Sequence, residues 1–227
     1  MAAKSDVILR EKLASLNELR RESPGNQGRA LLVRALGDST NLVVAAAAEV
    51  IGEWQLSTLE PALLQAYGRL TVDGLRRDPT CAGKIAIAET LQALDITAVD
   101  FWIRGLHYVQ LEPSYGPPVD TGARIRALSA LSVARSGHPD TLLELAPLLQ
   151  DPAMDARLGA IQAIGSSGQP GATALLWHKL LVGDPEPEPY YEGFVNVLVL
   201  VPERAMPFVA SFLQHDQPGV PETAALA

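Results

Sequence analysis

One cysteine, Cys81, is all the thiol chemistry in 227 residues, so no disulfide can form within the chain and a reducing compartment such as the cytoplasm is expected. Basic residues are also scarce, 18 against 26 acidic, for a net charge of −8. From Leu180 onward the acids are Asp184, Glu186, Glu188, Glu192, Glu203, Asp216 and Glu222, and Arg204 is the one base. Phosphate backbones need clustered Lys and Arg, so nucleic acid is a poor partner for this stretch. The longest apolar runs, Leu42–Ile51 (broken by Glu49) and Phe194–Val201 (broken by Asn196), are far too short to span a bilayer. The first residues, Met-Ala-Ala-Lys-Ser-Asp, lead into a charged stretch with no apolar h-region, so no signal peptide is expected.

Catalytic signatures are missing as well. There is no Gly-rich phosphate loop, no nucleophile elbow and no paired-carboxylate signature. His107, His138, His178 and His215 are widely spaced, and neither a His-Glu dipeptide nor a His-x-x-x-His motif occurs. A metal needs ligands converging on one ion at ~2 Å. The expectation is therefore no catalytic residue, no metal and no cofactor. Cys81 lies just after Asp78-Pro79; a helix N-terminus would lower its pKa, but a buried small residue is the preferred reading.

What is present is Leu and Ala in quantity, few aromatics and scattered β-branched residues, which favours helix over sheet. The punctuation of these helices repeats. Asp-Pro occurs at 78–79, 151–152 and 184–185, each between two apolar helical patterns. Asp suits an N-cap and Pro the first helical position, so each Asp-Pro is expected to turn the chain and start a helix. With Asp38, Asp120 and Asp216 in equivalent turns, the intervals are 40, 42, 31, 33 and 32 residues. Six residues after each Asp stand Val44, Lys84, Arg126, Arg157, Tyr190 and Glu222. Nine residues after it stand Ala47, Ile87, Ser129, Ala160, Gly193 and Ala225, mostly small.

In the stretch from Asp151 to Gly165, Asp-Pro is followed by Arg157 and then by Ala160-Ile-Gln-Ala-Ile-Gly165. This resembles the second helix of a bacterial HEAT-like repeat. The resemblance covers most of the chain from about Gly28, is clearest at Asp151, weaker at Asp78 and Asp120, and poorest at Asp184 and Asp216. It implies an all-α, right-handed α-solenoid of about six helix pairs behind an N-terminal helix, with residues 1–227 forming a single domain (1–25 the helix, 26–227 the repeats). It also implies an Asp–Arg ladder between units, for which Asp78/Lys84, Asp120/Arg126 and Asp151/Arg157 have the matching residues. The family motif is structural and carries no activity.

The same architecture follows from burial, because a unit of ~30–40 residues makes two helices that cannot hide their apolar stripes alone. Helices are expected at Ser5–Glu22 and in the pairs Gln27–Leu36 with Asn41–Trp54, Thr58–Leu75 with Pro79–Ala93, and Thr97–Tyr108 with Thr121–Ser136. The later pairs are Asp140–Leu149 with Pro152–Ser166, Gly171–Leu181 with Pro189–Leu200, and Glu203–Gln214 with Pro218–Ala227. The run Phe194–Val201 is β-prone by composition, but its place in the repeat makes it helix. The last helix stops without the polar cap a terminal repeat needs, so the expected array continues beyond this chain.

The strongest irregularity is Gln110–Val119, with three prolines, Gly116 and Tyr115, where other pairs turn in about three to six residues. Insertions in repeat proteins emerge on one face, often the binding face. With Trp102, His107, Tyr108, Glu112 and Tyr115, this segment is a candidate recognition loop; the alternative is a long turn whose aromatics fill the core. The acidic, proline-rich Gly183–Tyr191 reads as a stiff solvated turn. Arg124, Arg126 and Arg157, with Lys84, are either a basic stripe on successive second helices or the ladder partners of the aspartates, and the ladder is preferred.

The functional expectation is a non-enzymatic adaptor that grips another protein with its concave face or the 110–119 loop. An alternative implied by the repeat type is a bilin lyase or chaperone-like protein, with Arg124, Arg126 and Arg157 meeting propionates and Trp102 or Tyr115 stacking on the tetrapyrrole. Similarity to HEAT-like DNA glycosylases would imply nucleic acid, which the charge disfavours. HEAT-type metal hydroxylases use paired His-Glu motifs that this chain lacks.

Overall fold

The computed structural model describes residues 2–21 and 25–227, with side chains from Asp6. Among these residues the protein is all-α: fourteen α-helices joined by short turns, with one two-residue antiparallel ladder. No described helix is long and apolar enough to cross a membrane. The chain divides into two compact units, Met1–Ile96 with Val109–Gly122, and Thr97–Tyr108 with Ala123–Ala227.

In the first unit the helices are α1 (Ala2–Glu18), α2 (Asn26–Leu36), α3 (Asn41–Glu53), α4 (Glu60–Thr71), α5 (Gly74–Arg77) and α6 (Ala82–Ala93). Helix α3 is the centre. Its Leu-Val-Val-Ala-Ala-Ala-Ala sequence buries Val43, Val44, Ala47, Ala48, Val50 and Ile51 on several sides. A helix buried nearly all round needs neighbours all round, and α1, α2, α4 and above all α6 pack on it. The outer helix α2 buries only Leu32, Ala35 and Leu36.

The second unit holds α7 (Val99–Gly105), α8 (Ala123–Arg135), α9 (Thr141–Leu145), α10 (Met154–Ser166), α11 (Ala172–Val182), α12 (Glu188–Leu200), α13 (Pro202–Ser211) and α14 (Val220–Leu226). Helix α8 packs on α10, α10 on α12, and α12 on α14. Small residues set the α8–α10 distance. A Cβ on Gly159 would fall 2.5 Å from the Ala127 Cα, so only hydrogen at that position permits the approach. Each fully buried Leu or Ile in these seams contributes roughly 1.5–3 kcal/mol; Ile125, Ile161, Ile164 and Leu176 are among them.

The run Phe194–Val201 is helical up to Leu200, within α12. Tyr190, Gly193, Phe194 and Val197 are buried while Val199 is 77% exposed, an i, i+3, i+4, i+7 pattern that overrides the local β preference.

Helices lie in each expected stretch, but Asp151 and Asp184 do not cap theirs. Helices α10 and α12 begin at Met154 and Glu188, three and four residues after Asp151 and Asp184, with no side-chain cap. Each of these carboxylates instead accepts the N–H two residues on, Ala153 (2.9 Å) and Glu186 (3.1 Å), closing a turn ahead of the helix. Asp78 reaches further and accepts the N–H groups of Gly83 and Lys84 (2.8 and 3.0 Å) in the first turn of α6. The expected extent of the first helix to Glu22 falls partly outside the described residues; α1 ends at Glu18.

Candidate functional site

The Gln110–Val119 insertion is a clamped hairpin in the first unit. Leu111 pairs with Asp120 and Glu112 with Val119 in antiparallel register. The Asp120 carboxylate accepts the N–H groups of Gln110 (3.1 Å) and Gly122 (2.9 Å), closing the base. At the tip the Ser114 hydroxyl donates to the Pro117 carbonyl (2.7 Å) and accepts from the Gly116 N–H (3.1 Å).

Glu112 ties the hairpin to the body of the unit. Its Oε1 accepts from the Thr80 N–H (2.6 Å), the Gln110 amide (2.8 Å) and the Thr121 hydroxyl (2.8 Å). Burial works against its charge, and the hydrogen bonds from Gln110, Thr121 and Thr80 outweigh it, holding the carboxyl below its ordinary range. Gln110 also donates to the Asp78 carbonyl (2.9 Å). Beneath lies the Asp78–Lys84 ion pair (2.8 Å), both side chains wholly buried. Asn41 donates to the same carboxylate (3.0 Å). Between these layers, Thr80 and Cys81 both take left-handed backbone angles, φ 61° and 56°. Non-glycine residues pay for such angles, and the bonds from Thr80 to Glu112 and from Cys81 to Thr121 (3.3 Å) hold them there. Burial pushes the Cys81 thiol pKa up, so it stays protonated at neutral pH and is a core residue.

The clamp leaves apolar side chains outside. Val109, Leu111, Tyr115 and Val119 are all exposed, Tyr115 completely. The register places Leu111 and Val119 on opposite faces of the ladder, so the hairpin offers apolar side chains on both.

The other predicted site residues scatter. Trp102 is 1% exposed and packs edge-on against Phe101 inside the second unit, so it cannot rim a loop. Indole area drives it inward. His107 is exposed and Tyr108 half-buried in that same unit. Of the cations, only Arg124 is exposed. Arg126 is buried and grips Asp151 bidentately (Nε–Oδ2 2.8 Å, Nη2–Oδ1 2.7 Å), with Nη1 donating to the Tyr108 carbonyl. Arg157 grips Asp184 in the same way (2.8 and 2.9 Å), adds Glu186, and donates to the Asp151 and Pro152 carbonyls. Lys179 completes the cluster at 2.7 Å from Asp184. Burial opposes the charges, but the Arg157 and Lys179 hydrogen bonds hold the Asp184 carboxyl below its ordinary 3.8, and Asp184 and Glu186 hold Arg157 charged.

These pairings correct the expected register. Arg126 meets Asp151, and Arg157 meets Asp184 rather than Asp151. Both arginines reach forward, Arg126 past Asp140 to Asp151 and Arg157 to Asp184, so Asp184 joins a bidentate pair where the motif is poorest. Lys84 binds the aspartate six residues before it, as expected. A basic stripe made of these side chains does not exist, because Lys84, Arg126 and Arg157 are interior. The same burial removes Arg126, Arg157 and Trp102 as contacts for a tetrapyrrole.

Two residues that sequence reasoning passed over are Trp177 and Arg204, which line an open groove of about 600 Å³ in the second unit. The available signal was Arg204 itself, the one base in an acidic stretch. Among the described residues no cluster of three or more His, Cys, Asp or Glu is arranged to hold a metal. No known family profile matches the chain, and no curated protein matches it in sequence.

Proposed function

We propose that this chain is a HEAT-like α-solenoid adaptor without catalytic activity, and that it grips another protein through the Val109–Gly122 hairpin. The solenoid reading is supported by α6 packing on α3 in the first unit and by the succession α8, α10, α12 and α14 in the second. Arg126–Asp151 and Arg157–Asp184 recur at spacings of 25 and 27 residues, as stacked repeats of similar length require. The right-handed sense is that of the HEAT family.

One observation carries the choice of surface: four exposed apolar side chains stand on a hairpin whose base and middle are fixed by part-buried hydrogen bonds. A docking loop that is already ordered loses little conformational freedom on binding. Lys84, Arg126 and Arg157, by contrast, are spent inside the fold. Cytoplasmic residence fits the single buried thiol.

Proximity labelling in the native cell, with wild type beside a Tyr115→Ala, Val119→Ser double variant, tests this. The affected side chains are exposed, so the variant should melt within about 0.5 kcal/mol of wild type while losing the neighbours that wild type labels. Glu112→Ala should weaken the same labelling by loosening the hairpin, seen as faster amide exchange at Thr80 and across 110–121. Unchanged labelling by the double variant refutes the hairpin as the gripping surface.

A further inference from the structure

The buried charges of both units are consumed by their own partners; the outer side of α11 and α13 is different. On α11, Ala172, Leu176, Lys179 and Leu180 are buried. A second stripe on the same helix, Ala174, Trp177, His178 and Leu181, follows i, i+3, i+4, i+7 spacing and faces the groove of about 600 Å³ instead. Val201 and Arg204, at the start of α13, close its other side. Trp177 is held in place by stacking on Phe208 of α13 (centroids 3.9 Å apart, planes 17° apart), and Phe208 is braced edge-on by Phe212 at 5.2 Å.

The charge in this groove runs against that of the chain. Seven acids lie beyond Leu180, and none of them lines it. The titratable groups that do are His178 and Arg204, both exposed. Neither has an ion pair or side-chain hydrogen bond among the described residues, whereas Arg126 and Arg157 are fully engaged. An unpaired guanidinium beside a fixed indole and an exposed leucine offers an oxyanion contact at one end and a flat apolar wall along the rest. The volume lies in the range of small-molecule sites, roughly 300–1,000 Å³.

We propose that this groove binds a small carboxylate with a flat apolar body. Arg204 meets the carboxylate with its planar fork, Trp177 and Leu181 cover the body, and His178 offers a ring N–H to the same oxyanion. This site is independent of the hairpin, and either can fail without the other.

Naphthoate is a suitable probe and naphthamide its neutral counterpart. Titrated into wild type, naphthoate should change tryptophan fluorescence saturably, in the low-millimolar range or tighter. Isothermal calorimetry should give the same constant, and Trp177→Phe should remove most of the optical change while calorimetry still registers binding. Arg204→Gln, with its circular dichroism unchanged, should bind naphthoate about tenfold or more weakly, and Arg204→Lys should recover part of the loss. Naphthamide should bind wild type and Arg204→Gln alike, at the weakened level. Absence of saturable binding by calorimetry overturns the site. Equal naphthoate affinity for wild type and Arg204→Gln, or equal affinity of wild type for acid and amide, overturns the carboxylate assignment.

Discussion

Replacing Arg157 by Met removes a charge and a set of hydrogen bonds while keeping most of the side-chain volume. In the folded protein that guanidinium meets Asp184, Glu186 and the carbonyls of Asp151 and Pro152, and it is almost wholly buried. Removing one partner of a buried pair costs about 3–5 kcal/mol, because the other charge is left in a poor solvent. Asp184 would keep Lys179 at 2.7 Å and the Glu186 N–H, which moves the expectation to the low end, about 3 kcal/mol. In a chain of this size that lowers the melting temperature by about 6–12 °C. An exposed ion pair would cost only ~0–1 kcal/mol. Urea unfolding followed by tryptophan fluorescence and far-UV circular dichroism measures the difference. The pair is also expected to be coupled: Arg157→Met with Asp184→Asn should cost at least about 1 kcal/mol less than the two single changes summed. Acid adds a sign. The Asp184 carboxyl titrates below 3.8 when folded and near 3.8 when unfolded, so on acidification the unfolded chain takes the proton first. Its contribution is therefore complete above that value and fades as pH falls through the folded pKa. The gap between wild type and Arg157→Met should be full at neutral pH and shrink in strong acid. A loss under about 1 kcal/mol at pH 7, strict additivity, or a gap that widens in acid would refute the buried-pair reasoning.

Two further substitutions probe the packing. Gly159→Ala would stabilise an exposed helix by ~1 kcal/mol; here the new methyl meets Ala127 at 2.5 Å, so thermal melting should show a loss of about 1–3 kcal/mol. Ser129→Ala should leave stability unchanged or raise it by about 1 kcal/mol, because the buried hydroxyl has no hydrogen-bond partner; a loss beyond about 1 kcal/mol would show that it has one.

The helices were legible because Asp-Pro pairs and apolar periodicity are local signals. Phe194–Val201 shows the value of the wider pattern, since eight residues alone would have suggested a strand. The Asp78–Lys84 pair was legible in the six-residue spacing, whereas the partners of Arg126 and Arg157, and the part taken by Asp184, were not. Asp120 and Arg126 are six apart, and spacing alone does not reveal that the guanidinium reaches forward to Asp151. The placement of the loop residues was mixed for a similar reason. Tyr115 and Glu112 belong to the insertion and stay together, whereas Trp102 precedes it on a helix whose neighbours bury it. Trp177 and Arg204 are 27 residues apart in sequence, and the packing of α11 and α13 on α12, with Trp177 stacked on Phe208, joins them in the fold.

Because Arg157 reaches forward to Asp184 while Asp151 is met by Arg126, the segment from just after Asp151 through Asp184 carries a complete acid–base couple. Duplicating or excising residues 152–184 would thus conserve every bidentate couple on either side of the splice. Excising a segment that starts after Asp151 and stops between Arg157 and Asp184 would leave the Asp184 carboxylate without its guanidinium. The forward reach thus makes the residue just after Asp151 or Asp184 a cut that keeps each buried couple whole.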